Sequence, residues 1–190
     1  MLRKISALFI LIVVTTIVFA PDLRAQNLVG RATRGMVGVK LGFISNGMIR
    51  EEQSHWTELG MSGGVYGDLP IGGGFYIPVS FDFHSFRLAK NWEVMLDVGV
   101  GLKATYKIQR TNVEIKPGVA IGVANLPQLG VVETSNYITT KLMLEVHFPI
   151  NKRHSWVGEI ALFGAPVGRN NEYDVTIGPI LIVRVGLAFR

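Results

Sequence analysis

Three times in this chain a serine stands beside a histidine: Ser54-His55, His84-Ser85 and His154-Ser155. Such a pair could supply the nucleophile and general base of an acyl transfer, provided the imidazole reaches the hydroxyl. All three lie in or beside segments of alternating apolar residues, and neighbours on a strand point to opposite faces, so adjacency does not make a dyad. His84 together with Glu93 is the one acid–base cluster worth testing. His154 sits with Lys152 and Arg153 in a basic turn and reads as a solvated corner. His147 has no second His or Cys at ligand spacing, which makes it a partner for a carboxylate rather than a metal ligand. Gly72-Gly73-Gly74 leads into a strand and not a helix, so it is no phosphate loop. On these grounds no catalytic, cofactor-binding or metal residue is assigned, and no cofactor is expected.

The elements that carry these residues are strands. In the last one, Phe189, Leu187, Val185, Val183, Leu181, Pro179 and Ile177 fall on one face, against Ala188, Gly186, Arg184, Ile182, Ile180, Gly178 and Thr176. A side-chain period of two makes the first face wholly apolar and the second mixed. The pattern recurs eight times, with apolar positions at 37–43, 61–69, 75–83, 94–106, 113–123, 138–148, 156–162 and 177–189. Each run is near the length that crosses a bilayer when tilted.

Short links join the second and third runs (Pro70–Gly74), the fourth and fifth (Ile108–Thr111) and the sixth and seventh (Pro149–His154). Longer links alternate with them, at Ser45–Gly60, Ala124–Asn136 and Ala165–Asp174, with Ser85–Asn91 only a generous turn. Short turns on one side and long loops on the other are the plan of an up-and-down barrel. The expected fold is therefore all-β, an eight-stranded antiparallel up-and-down transmembrane β-barrel with both termini on the turn side.

The amino terminus sets the compartment. Arg3 and Lys4 precede an apolar run from Ala7 to Ala20, and Leu23-Arg24-Ala25 offers a small-residue cleavage site before Gln26. That is a secretory signal peptide, too short for a membrane helix. The expected organisation is a signal over 1–25, a short periplasmic segment over 26–34 and the barrel over 35–190. Cleavage removes three cations and one anion and lowers the formal charge from +5 to +3, so no nucleic-acid partner is expected. Cysteine is absent, and the exported chain must be held by its core and its hydrogen-bond ladder.

Period two alone leaves open which face meets water. A soluble periplasmic lipid-binding barrel would bury the apolar face. Lipid outside is favoured because the mixed face is rich in Gly and Ala and the apolar face too bulky for an eight-stranded interior. The aromatics also gather at the interfaces: Phe75, Tyr106, Phe148, Trp156 and Phe189 at the turn end, Phe43 and Phe83 at the loop end.

Two segments carry a likeness to a known family: Gly-Val-Tyr-Gly-Asp-Leu-Pro-Ile-Gly-Gly-Gly-Phe at 64–75 and Val-Arg-Val-Gly-Leu-Ala-Phe at 183–189. The chain resembles the small eight-stranded outer-membrane β-barrel proteins, the superfamily of OmpX-like and OmpA-type barrels, over residues 35–190. The second segment is similar to the terminal-strand signal read by the barrel-insertion machinery, except that Arg190 follows the aromatic. The resemblance implies the cell outer membrane, with outer-membrane lipids and that machinery as partners. The family's functions are too varied to carry over.

Facing then assigns Lys40, Lys103, Lys107, Lys116, Lys141 and Arg184 to the lumen with Asp68, Asp82, Asp97, Glu114, Glu145 and Glu159. Six cations against six anions in a narrow barrel suggest a paired polar plug rather than a channel, because an unpaired buried charge is costly. The expected protein is a monomeric, non-enzymatic barrel whose role lies in its external loops. The first loop carries Arg50, Glu51, Glu52, His55, Trp56 and Glu58, and the third carries Leu126, Leu129, Val131 and Val132. The alternative is a lipid A-modifying, acylhydrolase-like enzyme using His84 or Ser85 near the outer leaflet.

Overall fold

The computed structural model describes residues 35–50, 54–88, 91–108, 111–126, 135–169 and 174–190. The signal and periplasmic segments expected over 1–34 lie outside these residues. Among the described residues eleven strands follow one another: β1 (Met36–Ile44), β2 (Met48–Arg50), β3 (Ser54–Trp56), β4 (Gly60–Gly72), β5 (Phe75–Leu88), β6 (Asn91–Ala104), β7 (Tyr106–Lys107), β8 (Glu114–Leu126), β9 (Ser135–Pro149), β10 (His154–Arg169) and β11 (Asp174–Phe189). The eight long ones pair antiparallel in the order β1-β4-β5-β6-β8-β9-β10-β11, and β11 pairs back onto β1 from Val37↔Phe189 to Ile44↔Ile182. The sheet closes on itself. Closure leaves the long strands no open edge, as a barrel in lipid requires.

The alternation read from the sequence sorts to the two sides as expected. Val39, Val65, Phe81, Val98, Val119 and Ile160 are among the large apolar side chains exposed on the outer wall, while Lys40, Asp82, Asp97 and Glu159 are buried inside. Among the described residues nothing apolar covers that wall, and a soluble barrel would reverse the arrangement. Trp156 and Phe148 stand exposed near one rim and Phe43 and Trp92 near the other, at the level where a ring can be half wet.

The β4–β5 turn shows why glycine is needed. Gly72, Gly73 and Gly74 have φ of 98°, 58° and 81°, a left-handed run that side chains with a Cβ rarely adopt. At the β9–β10 turn, Asn151 Oδ1 accepts from the backbone N–H groups of Arg153 (2.8 Å) and His154 (2.9 Å) and fixes the reversal.

The loop side differs from the expectation in two ways. Several strands run well past the 9–11 residues that cross a bilayer, to 16 in β10 and β11, so much of what reads as loop is ladder. Ala124 and Leu126, placed in the third loop by sequence, are buried in β8. Arg50, His55 and Trp56 belong to the β2–β3 hairpin, which pairs onto β11 through Thr176↔Arg50 and Ile177↔Ile49. Thr57 anchors this hairpin, with its hydroxyl 2.8 Å from the Gly47 N–H that it accepts. Glu51, Glu52, Leu129, Val131 and Val132 lie outside the described residues.

One facing is corrected, and two lumen charges lie at the rim. Ile177, expected on the lipid face, is buried, because the β10–β11 register shifts between Phe163↔Ile180 and Ala165↔Ile177. Such an irregularity inserts residues on one strand and flips the parity beyond it. Lys107, expected in the lumen, is exposed at the turn end, where Thr105 separates β6 from the two-residue β7. Glu114 is only half-buried.

Candidate functional site

The interior of the barrel is where the chain concentrates chemistry. Ten of its charged side chains form one alternating series. Lys116 lies 3.6 Å from Asp68, Asp68 accepts from Lys103 at 2.9 Å, and Lys103 donates to both oxygens of Glu145 at 2.9 Å. Glu145 accepts from Lys40 at 2.6 Å, and Lys40 donates onward to Glu159. Arg184 Nε donates to Glu159 at 2.8 Å and its Nη1 to Asp82 at 2.5 Å. Lys141 then joins Asp82 and stands 3.9 Å from Asp97, whose carboxylate accepts from the Thr139 hydroxyl at 2.6 Å.

Five cations and five anions alternate, and each of the eight long strands supplies at least one of them. Their positions follow from parity and register, which aim every second side chain of each strand at the same axis. Lysine stems lie against aromatic faces along the series. The Lys40 ammonium is 4.1 Å from the Tyr66 ring centroid and Lys103 is 4.8 Å from it, while Lys116 is 4.7 Å from that of Tyr76. Buried charges so far from water are tolerable only when each meets its opposite, and here all ten have one.

Toward the loop end the filling changes character. Ile44, Phe86, Leu126, Tyr137, Phe163, Ile177, Ile180 and Ile182 pack into one buried cluster with Met95 and Met143. The sequence reading missed this layer, since it took the mixed inward face to be filled by a paired polar plug. A smaller cluster of Met36, Tyr66, Val157 and Ala188 lines the turn end.

The candidate dyads fare differently. His84 is buried and faces the lumen, whereas Ser85 points the other way, so they do not meet. His84 Nδ1 lies instead 3.0 Å from Ser62 Oγ across the β4–β5 ladder, and its ring rests 4.8 Å from that of Phe163. Ser62 and His84 are direct ladder partners, but counting register outward from the glycine turn puts Ser85 opposite Ser62, because the ladder shifts between Pro70 and Gly72. His84 Nε2 has no hydrogen-bond partner among the described residues, and both groups are closed off from solvent. Glu93 is buried as well. His154 packs edge-on to Phe189 and reaches Asn151, a structural corner. His147 Nε2 sits 3.1 Å from Glu145 Oε2, the carboxylate partnership expected of it.

Similar solved structures say the same thing about architecture. No protein-family model and no curated protein matches the sequence. Among solved structures, Neisserial surface protein A is similar over 82% of this chain and 96% of its own, with a TM-score of 0.54 at 11% identity. The outer-membrane protein OprG from Pseudomonas aeruginosa is similar over 82% of this chain and 95% of its own, with a TM-score of 0.52 at 10% identity.

The chain has the fold of a small outer-membrane β-barrel. With its apolar side chains outward and its charges inward, this barrel is built for the lipid bilayer of the outer membrane.

Proposed function

We propose that this chain is a non-enzymatic outer-membrane barrel with a closed lumen, whose specific interactions are made by its loop end. One observation carries the reading. The alternating charge series and the apolar cluster beyond it both lie in the interior, and together they support a lumen filled by side chains. Eight strands enclose space for side chains and little else. Purified protein in a planar bilayer should give no steady conductance, and a stable ohmic channel from the folded barrel would overturn the closed lumen.

Binding at the loop end rests on the hairpin β2–β3, which continues the β11 ladder and presents the first loop. Next to it, Glu58 and Arg87 form an exposed ion pair at 3.9 Å and Leu59 is exposed. The chain acts as a monomer in this reading, held by surrounding lipids and inserted by the barrel-insertion machinery through the β11 segment ending in Phe189.

The enzymatic alternative would use His84. Lipid A from cells overexpressing the wild type, analysed by mass spectrometry beside the His84→Ala protein, should be unchanged in both. An acyl change that depends on His84 would replace the scaffold with a lipid-modifying enzyme.

A further inference from the structure

The outer wall is not evenly filled. On its lipid side a hollow of about 370 Å³ spans β5, β6, β8, β9 and β10, lined by Phe75, Leu102, Ala104, Pro117, Leu144 and Ile160 among others. Its origin is local. The ladder onto β8 runs to Lys103↔Gly118 and resumes at Tyr106↔Ile115 with the same offset, which sets Ala104 level with Pro117. Proline has no N–H to donate, so the ladder lapses between them. A methyl group and a small ring stand there, while Leu102, Leu144 and Ile160 around them are large and exposed. An apolar hollow in a wall that meets hydrocarbon takes hydrocarbon.

Charge sets the head of that occupant. The three turns, residues 70–74, 105–113 and 149–154, carry Lys107, Arg110, Lys152 and Arg153 and no carboxylate. The links at the other end, residues 45–59, 89–90, 127–134 and 170–173, carry two cations against five carboxylates. Lys107, Lys152 and Arg153 are exposed, and none makes an ion pair among the described residues.

The same turns show how deep they sit. Ile71, Ile108 and Ile150 are exposed and continue the outward series of Leu69, Tyr106 and Phe148. The lipid face therefore runs to the turn tips, and the cations beside it stand at headgroup level. Ala104 precedes Lys107 by three residues, about 10 Å of strand, so one lipid spans the distance from the hollow to the turn.

We propose that this hollow is a binding site for an anionic phospholipid of the periplasmic leaflet. One acyl chain lies over Ala104 and Pro117, and the headgroup phosphate meets Lys107. Lys152 and Arg153 on the neighbouring turn extend the positive surface.

The test reconstitutes the mature protein into nanodiscs holding equal amounts of phosphatidylglycerol and phosphatidylcholine with identical chains. The barrels are then released into mild detergent and weighed by native mass spectrometry. Barrels retaining one phosphatidylglycerol should outnumber those retaining one phosphatidylcholine by about tenfold, the factor expected of one or two cations beside an anionic headgroup. Ala104→Phe fills the hollow and should abolish retention of both lipids. Lys107→Gln combined with Lys152→Gln changes exposed groups only; it should equalise the two lipids and leave the heat-dependent gel shift of the barrel intact. This arm stands even if Ala104→Phe does not fold. No retained lipid, equal retention of the two by the wild type, or phosphatidylglycerol held undiminished by folded Ala104→Phe overturns the assignment. So does a lipid-free dimer, which would give the hollow to a second copy of the chain.

Discussion

The two halves of the barrel interior are filled by opposite means. Toward the loops, Ile44, Phe86, Leu126, Phe163 and Ile180 make a core like that of a soluble domain. From the middle toward the turns, Lys40, Lys103, Glu145, Glu159, Arg184 and Asp82 make a lattice of charge. The outer wall is equally apolar around both, so surroundings do not explain the difference. The teaching is in how each half fails. An apolar layer degrades in proportion to the volume removed, whereas a charge series fails at the first missing member, because each loss strands a partner in a medium that cannot solvate it.

The contrast gives the largest expected effect at Arg184. Its guanidinium serves both Glu159 and Asp82, and all three groups are buried. Arg184→Ala should destabilise the folded barrel by about 3–5 kcal/mol, measured by urea titration of refolding into micelles or vesicles. A loss below ~1 kcal/mol would show that water reaches these carboxylates and that the lattice is wet. Neutralising Glu159 as well, with Glu159→Gln, should recover part of the loss, since Lys40 keeps Glu145 and Asp82 keeps Lys141.

Outside, the wall should respond by depth and not by what lies behind it. Val100 is about half exposed on the lipid face. Val100→Arg should reduce stability by about 2–4 kcal/mol if it sits near the midplane, in the same titration. No effect there, paired with a severe one for Lys116→Leu in a detergent that merely coats the barrel, would mean the outer face does not meet lipid.

Non-additivity distinguishes the two halves next. Lys40 and Lys103 share one carboxylate, Glu145. Either lysine replaced by Met leaves Glu145 with the other; both replaced leave it with His147 alone. The double variant should therefore be less stable than the sum of the singles by about 0.5–3 kcal/mol. Additivity would mean that the lysines act as separate pairs.

How far this interior was legible follows from the same physics. Parity is a local property, so the lipid and lumen faces of β1, β5 and β9 can be read from alternation alone, as can the charges destined to meet. Register counted from a tight turn fails where a bulge intervenes, and Ser62 opposite His84 is missed because the ladder shifts between Pro70 and Gly72. Two further features are not local. A bulge near Gly178-Pro179 reverses the facing of Ile177, and no residue pattern announces it beyond the glycine and proline themselves. Nor does alternation reveal that Ile44, Ile180 and Ile182 converge, since apolar residues on a mixed face look like exceptions until the barrel closes and brings them together.

The apolar half supplies the smallest expected effect. Ile182 is fully buried, directly opposite Ile44 on β1 and Ala161 on β10. Ile182→Val removes one methylene from a layer whose neighbours can relax, and should lower stability by about 0.5–1.5 kcal/mol. Strands, charges and closure are untouched, so the heat-dependent gel shift should persist and the planar bilayer should remain silent. A graded loss here beside an abrupt one at Arg184 would confirm that the halves differ in kind. If Ile182→Val instead opened a conductance, the apolar layer and not the charge series would be the seal, because removing so little volume could admit ions only where packing alone had excluded water.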